Sequence, residues 1–226
     1  MNRRLLCYLL AVEVTAATGL FLAPGRADEK ADFARWEKAI EAFEQKDRDK
    51  PPPRNGILFA GSSSIVRWDL AKSFPDRQVI NRGFGGSQIA DSVHFAPRII
   101  LKHEPRIIVF YAGDNDLAAG KTPERVAADF QELLHAVHKE LPTTRILFLA
   151  IKPSLARGKL IDKQRHANSL IEELCKKDER LQYVDVVKPM LGDDGKPREE
   201  LFGKDGLHLS EKGYELWTSI LKPLLK

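Results

Sequence analysis

The chain has 226 residues, 43% hydrophobic and 30% charged, which suits one domain with a substantial core and excludes a largely disordered chain. Its formal charge of +4 is mild, and the basic residues are interleaved with acids rather than striped, which excludes a nucleic-acid partner as the first reading. Three of the basic residues, Arg3, Arg4 and Arg26, fall in the first 27 positions against one acid, Glu13, so the remainder is nearer to neutral still.

The first 27 residues read as a secretory signal. Arg3 and Arg4 form a positive start, Leu5 to Val12 an apolar core, and Pro24-Gly25 a breaker ahead of Ala27, after which cleavage is expected. Export to the periplasm or the exterior follows from that reading. Glu13 would cost about 2.5–3.5 kcal/mol at the centre of a membrane-spanning helix. A membrane partner is therefore expected only if the segment stays uncleaved. Cys7 belongs to this segment, which leaves Cys175 alone in the mature chain and rules out an intramolecular disulfide. Cys175 follows Ile171 and Leu174 at helical spacing and reads as a packed thiol.

From Asp32 to about Lys46, Phe33, Trp36, Ile40 and Phe43 recur with helical period, and the stretch from Lys50 to Arg54, with its three prolines, ends that helix as a short linker. Residues 28–54 are thus a helix and linker ahead of a main domain at 55–226. Five apolar bursts too short for helices follow: Ile57–Ala60, Gln78–Asn81, Ile107–Ala112, Ile146–Ile151 and Tyr183–Val187. Helical stretches alternate with them: Ile65–Phe74, Ile89–Lys102, Pro123–Glu140 and Leu160–Lys177. A last helix, Glu211–Leu224, starts behind Ser210 as N-cap. Nearly all-apolar strands alternating with helices predict a parallel sheet buried on both faces. The fold class is α/β: a three-layer α/β/α domain with a five-stranded, parallel, doubly wound sheet of the flavodoxin-like kind.

Ligands of such sheets bind beyond the carboxyl ends of the strands. Four polar or glycine-rich clusters fall there or lead into the last helix. Gly61-Ser62-Ser63-Ser64 offers a tight turn and helix N–H groups, or a plain serine cap. Asn81-Arg82-Gly83-Phe84-Gly85-Gly86-Ser87 offers backbone that can approach a ligand closely. Gly113-Asp114-Asn115-Asp116 offers an amide donor, or an Asx turn. In Asp205-Gly206-Leu207-His208 the carboxylate can reach the imidazole three residues on and leave Nε2 free as a base. Together they supply a nucleophile, a base, its orienting acid and donors for an oxyanion. His94, His103, His135, His138 and His166 all fall in or at the ends of helical stretches, where packing or solvation is the default.

In this order and spacing, over roughly residues 55 to 226, the four clusters resemble the blocks of the SGNH (GDSL-like) hydrolase superfamily. The resemblance implies Ser63 as nucleophile, His208 as general base and Asp205 as its partner. It also implies the N–H groups of Ser63 and Gly86 and the side-chain amide of Asn115 as oxyanion donors. Two positions depart from the family pattern: Ser62 stands where an acid usually precedes the nucleophile, and Ser87 where many members carry an acid. Position three of the first block favours Ser63 over Ser62 and Ser64.

The implied activity is hydrolysis of carboxylic esters through an acyl-enzyme, with no metal and no cofactor, and falling below about neutral pH as the base becomes protonated. Asp114, Asp116 and Asp193-Asp194-Gly195 read as hydrated turns before they read as metal ligands. Short connections suggest an open site for small acyl groups or acetylated carbohydrate, and Trp68 and Phe84, near the first two blocks, are candidates for stacking on a sugar, or for packing beneath the loops. Lysophospholipid or thioester hydrolysis on the same machinery is the alternative. A non-catalytic carbohydrate-binding protein on this scaffold, or a metal-dependent phosphohydrolase, would be of a different class.

Overall fold

The computed structural model describes residues 32–226; the expected signal, 1–27, lies outside the described residues. Five strands form one sheet, β1 (Ile57–Gly61), β2 (Val79–Gly83), β3 (Ile107–Tyr111), β4 (Arg145–Leu149) and β5 (Leu181–Val184), in the order β2-β1-β3-β4-β5 with every pairing parallel. This is the flavodoxin-like order, which reverses direction between β1 and β3 and opens a crevice at their carboxyl ends.

Strand period explains why the bursts read as unbroken apolar runs. Leu58, Ala60, Ile108, Phe110, Ile146 and Phe148 face one layer, while Ile57, Phe59, Val109, Tyr111, Leu147 and Leu149 face the other, and all are buried. The first layer is covered by α1 (Glu37–Asp49), α4 (Ile89–Ile99), α6 (Pro123–Glu140) and α7 (Ile161–Cys175) through Ile40, Phe95, Phe130 and Ile171. The second is covered by α8 (Glu211–Leu221), whose Trp217 and Leu221 are fully buried.

The helix expected ahead of the prolines packs into the same unit as the sheet, which spans Phe33–Lys226. Phe33 stacks on His94 of α4 at 3.8 Å between ring centroids, and Arg98 of α4 donates to Glu37 and Glu44 of α1 at 2.5 and 2.7 Å. Cys175 is buried at the end of α7, and burial pushes its thiol up to about 12, as a packed, unreactive group requires.

Local chemistry sets the helix ends. The Thr122 hydroxyl accepts from the Arg125 N–H at 3.2 Å, with Pro123 in the first turn of α6, and the Ser210 hydroxyl accepts from the Gly213 N–H at 3.3 Å as expected of the α8 cap. The single helix expected over Ile65–Phe74 is instead two short ones, α2 (Ser63–Val66) and α3 (Leu70–Ser73). Asp69 is the reason: its carboxylate accepts from the Lys72 N–H at 3.0 Å and caps a new helix instead of continuing the old one. The last helix ends at Leu221 and continues as a 3-10 turn, Lys222–Leu224, because Pro223 has no N–H to offer. A short helix α5 (Asp114–Ala118) occupies what the sequence presents as a loop cluster.

Candidate active site

β1 runs directly into α2, and Gly61 makes the turn: it sits at φ +126°, where a Cβ would lie 1.9 Å from the Tyr111 carbonyl oxygen of β3. This close pairing delivers three consecutive serines with different fates. Ser62 is fully buried with an unpartnered hydroxyl, Ser64 is buried, and Ser63 stands half-exposed in the first turn of α2, where the backbone N–H has no intrahelical acceptor. The Ser63 Oγ lies 3.0 Å from Nε2 of His208.

His208 is held by its own loop. Oδ1 of Asp205 accepts from the backbone N–H groups of Leu207 (3.0 Å) and His208 (2.9 Å), an Asx turn that leaves Oδ2 facing Nδ1 of His208 at 2.6 Å. With Nδ1–H donating a hydrogen bond to the carboxylate, Nε2 is an acceptor toward Ser63. The His208 ring and the two backbone donors hold the Asp205 carboxyl well below the usual carboxylate range, so it is ionised at any working pH. Arg67 approaches the same oxygen at 3.9 Å. Asp205 is about half-exposed, which weakens that outer pair by screening.

The glycine loop after β2 closes over the turn. The Phe84 N–H and the Ser87 hydroxyl both donate to the Gly61 carbonyl, at 2.9 and 3.3 Å. Ser87 is thus a buried hydroxyl stapling this loop to β1. Gly86 sits at φ +78° with Trp36 of the amino-terminal segment 3.3 Å from where its Cβ would be. Gly85 borders Ser63, since a Cβ on it would lie 4.0 Å from that of Ser63. From α5, the Asn115 amide donates one N–H to the Ser87 carbonyl at 3.0 Å and keeps a second N–H to offer.

Asp114 and Asp116 serve the scaffold. Asp114 pairs with Arg157 at 2.9 Å. Asp116 is fully buried and accepts from the Ile89 N–H (3.2 Å) and from Lys121 (2.9 Å), capping α4 with a carboxylate that burial pushes up and Lys121 pulls back. Asp194 accepts from the Lys196 N–H in a turn.

The stacking role expected for Trp68 and Phe84 is corrected. Both are 2% exposed. Trp68 packs among Phe59, Phe74, Tyr214 and Trp217 and donates to the Ser73 hydroxyl at 3.0 Å, while Phe84 packs edge-on against Trp36 and Phe95. Neither offers a face to a sugar ring.

The sequence pattern of the GDSL-like lipase/acylhydrolase family matches residues 57–216, more than two thirds of the chain. The chain belongs to this family. As a member it is an SGNH hydrolase acting on esters. Solved structures with the same fold include a Streptococcus pneumonia protein described as a candidate platelet activating factor, 22% identical, with a TM-score of 0.76 over 86% of this chain and 94% of that one. A GDSL-like lipase from Bacteroides thetaiotaomicron is 18% identical, with a TM-score of 0.67 over 87% and 98%. An acetyl xylan esterase is 17% identical, with a TM-score of 0.63 over 75% and 99%. No curated protein matches the sequence.

One part of this family member's site is absent from the sequence reading. The segment after β4, Lys152 to Arg157, bonds both halves of the crevice. Lys152 is buried, and its ammonium donates to the Leu207 carbonyl at 2.8 Å, while the Ala156 N–H donates to the Gly206 carbonyl at 3.0 Å. Arg157 donates to Asp114 and, at 3.1 Å, to Oδ1 of Asn115. The signal was available: this segment also leaves the carboxyl end of a strand, the rule that selected the other clusters.

Proposed function

We propose that this hydrolase is a serine esterase that cleaves carboxylic esters, with small acyl or acetylated carbohydrate esters as its substrates, through an acyl-enzyme on Ser63. The observation that carries the reading is the line of hydroxyl, imidazole and carboxylate, 3.0 Å from Ser63 to His208 and 2.6 Å from His208 to Asp205.

As the Ser63 oxygen bonds to the ester carbon, its proton passes to Nε2 of His208 and the carbonyl electron pair moves to oxygen. That oxyanion is held by the N–H groups of Ser63 and Gly86 and the free N–H of Asn115. Asp205 stays ionised and steadies the imidazolium without taking its proton. The intermediate collapses, the carbon–oxygen bond to the alcohol breaks, and Nε2 returns the proton to that alcohol. Water then repeats the sequence on the acyl-enzyme and releases the acid.

Small acyl groups are supported by the likeness of the fold to an acetyl xylan esterase. Trp68 and Phe84, both buried, do not supply an aromatic platform for sugar. Turnover of p-nitrophenyl acetate by the wild type, insensitive to chelator, should fall at least about 10³-fold in Ser63→Ala. Near-normal turnover by that variant would end the reading. A preference for long acyl chains across a p-nitrophenyl ester series would instead favour a lysophospholipase or thioesterase.

A further inference from the structure

From the contacts of the segment after β4 we infer that Arg157 is a positioning residue that fixes which way the Asn115 amide points, and so whether it can hold an oxyanion. The inference rests on the esterase reading above.

A primary amide has two nearly isosteric ends, one donating and one accepting. Only with nitrogen toward the crevice can Asn115 donate to a developing negative charge. Two neighbours decide between the orientations. On one side the Ser87 carbonyl, an acceptor, takes an N–H of the amide at 3.0 Å. On the other, the Arg157 guanidinium donates to Oδ1 at 3.1 Å. In the reversed amide, oxygen would face the Ser87 carbonyl and the NH2 group would face a guanidinium that can only donate. Both contacts would become repulsive.

The guanidinium is itself held. Its second NH2 group donates to Asp114 at 2.9 Å, and the two side chains are 21% and 8% exposed, so this pair is shielded from water. Because the fork is planar and rigid, the Asp114 contact sets the position of the arm that meets Asn115. Lysine could satisfy Asp114 but has no second arm at a fixed angle. Asp114 and Asn115 are neighbours on α5, whereas Arg157 comes from beyond β4. The same segment holds the Leu207 and Gly206 carbonyls, so one stretch of chain sets both the amide and the histidine loop.

The test is a double-mutant cycle on p-nitrophenyl acetate, with thermal melts of every variant. Arg157→Ala should lower kcat by about 10-fold or more and leave KM within about 2-fold, since an oxyanion donor acts in the transition state and losing one outright costs about 10²–10³. In an Asn115→Ala background the same change should cost less than about 3-fold, because no amide is left to orient. Arg157→Lys should keep the fold and show most of the loss, again only when Asn115 is present, and it decides the matter if Arg157→Ala melts below the assay temperature.

Equal losses in the two backgrounds, or full activity in Arg157→Lys, would overturn the inference while leaving the esterase reading intact. Turnover that survives in Ser63→Ala would overturn both.

Discussion

At φ +126° Gly61 occupies backbone territory that side chains rarely adopt, and any Cβ there would collide with the Tyr111 carbonyl oxygen on the neighbouring strand. Gly61→Ala should therefore be destabilised by more than about 3 kcal/mol, the backbone strain of about 1–3 kcal/mol adding to the separation of β1 from β3. Soluble yield and the denaturant midpoint read this out, and a variant within 1 kcal/mol of wild type by the same scale would show that the turn relaxes cheaply. The demands at this turn were legible in the order glycine then serines, because few residue types allow such a turn. The same is true of Asp205 and His208, where a spacing of three lets the carboxylate reach the imidazole across a turn, and the two lie 2.6 Å apart. Trp68 and Phe84 were not legible. Nearness in the chain to a crevice does not tell which way a ring points, and both rings turn inward to fill the layers under the loops.

The carboxyl end of β4 illustrates how an element is finished when the ladder stops. Ile151 lies beyond the last paired residue of β4, and Asn168 on α7 stands in for a strand: its Oδ1 accepts from the Ile151 N–H at 2.8 Å and its Nδ2 donates to the Ile151 carbonyl at 2.9 Å. Asn168 is buried, so Asn168→Ala leaves a donor and an acceptor without partners, at about 1–3 kcal/mol each. We expect a loss of about 2–4 kcal/mol in urea unfolding. A loss under about 1 kcal/mol would mean that water replaces the amide. Strands and long helices were legible because each is dominated by one period: the sheet is buried on both faces, and α6 fills Pro123–Glu140 as expected. Short elements were not. The break between α2 and α3 depends on whether Asp69 caps a helix or faces solvent inside one, and α5 on whether Asp114 begins a turn or a helix. Sequence periodicity over four or five residues cannot separate those outcomes. The Lys152–Arg157 segment was missed for another reason: it carries none of the glycines, acids, asparagines or histidines that mark the other loops, and its work is to hold the groups that the rest of the crevice supplies.

At the scale of the whole molecule, acid acts through a buried cluster that supplies none of the catalytic groups. His103, in the turn after α4, is 4% exposed and accepts at Nε2 from the Arg82 guanidinium of β2 at 3.3 Å. Asp47 of α1 lies 3.5 Å away and bonds both Arg82 and Lys102, so this cluster ties the amino-terminal helix to the sheet. Burial lowers the His103 imidazole from 6.5 to about 4; the charge of Arg82 adds to the shift, Asp47 opposes it and Lys102 adds a little. Because the folded value lies below the unfolded one, the unfolded chain binds more protons between those two pH values, and stability there rises with pH. His103's contribution is therefore fully present above about pH 6.5 and is lost as pH falls toward 4. From pH 7 to pH 5 this one group should cost roughly 2 kcal/mol of unfolding free energy. His103→Gln keeps an acceptor for Arg82 and cannot take up a proton, so its stability should change less over that interval even if it starts lower at pH 7. Urea titrations at pH 7, 6 and 5 compare the two slopes. Parallel slopes would mean that the acid sensitivity lies elsewhere, whereas a flattened slope would show that proton uptake by His103 carries it.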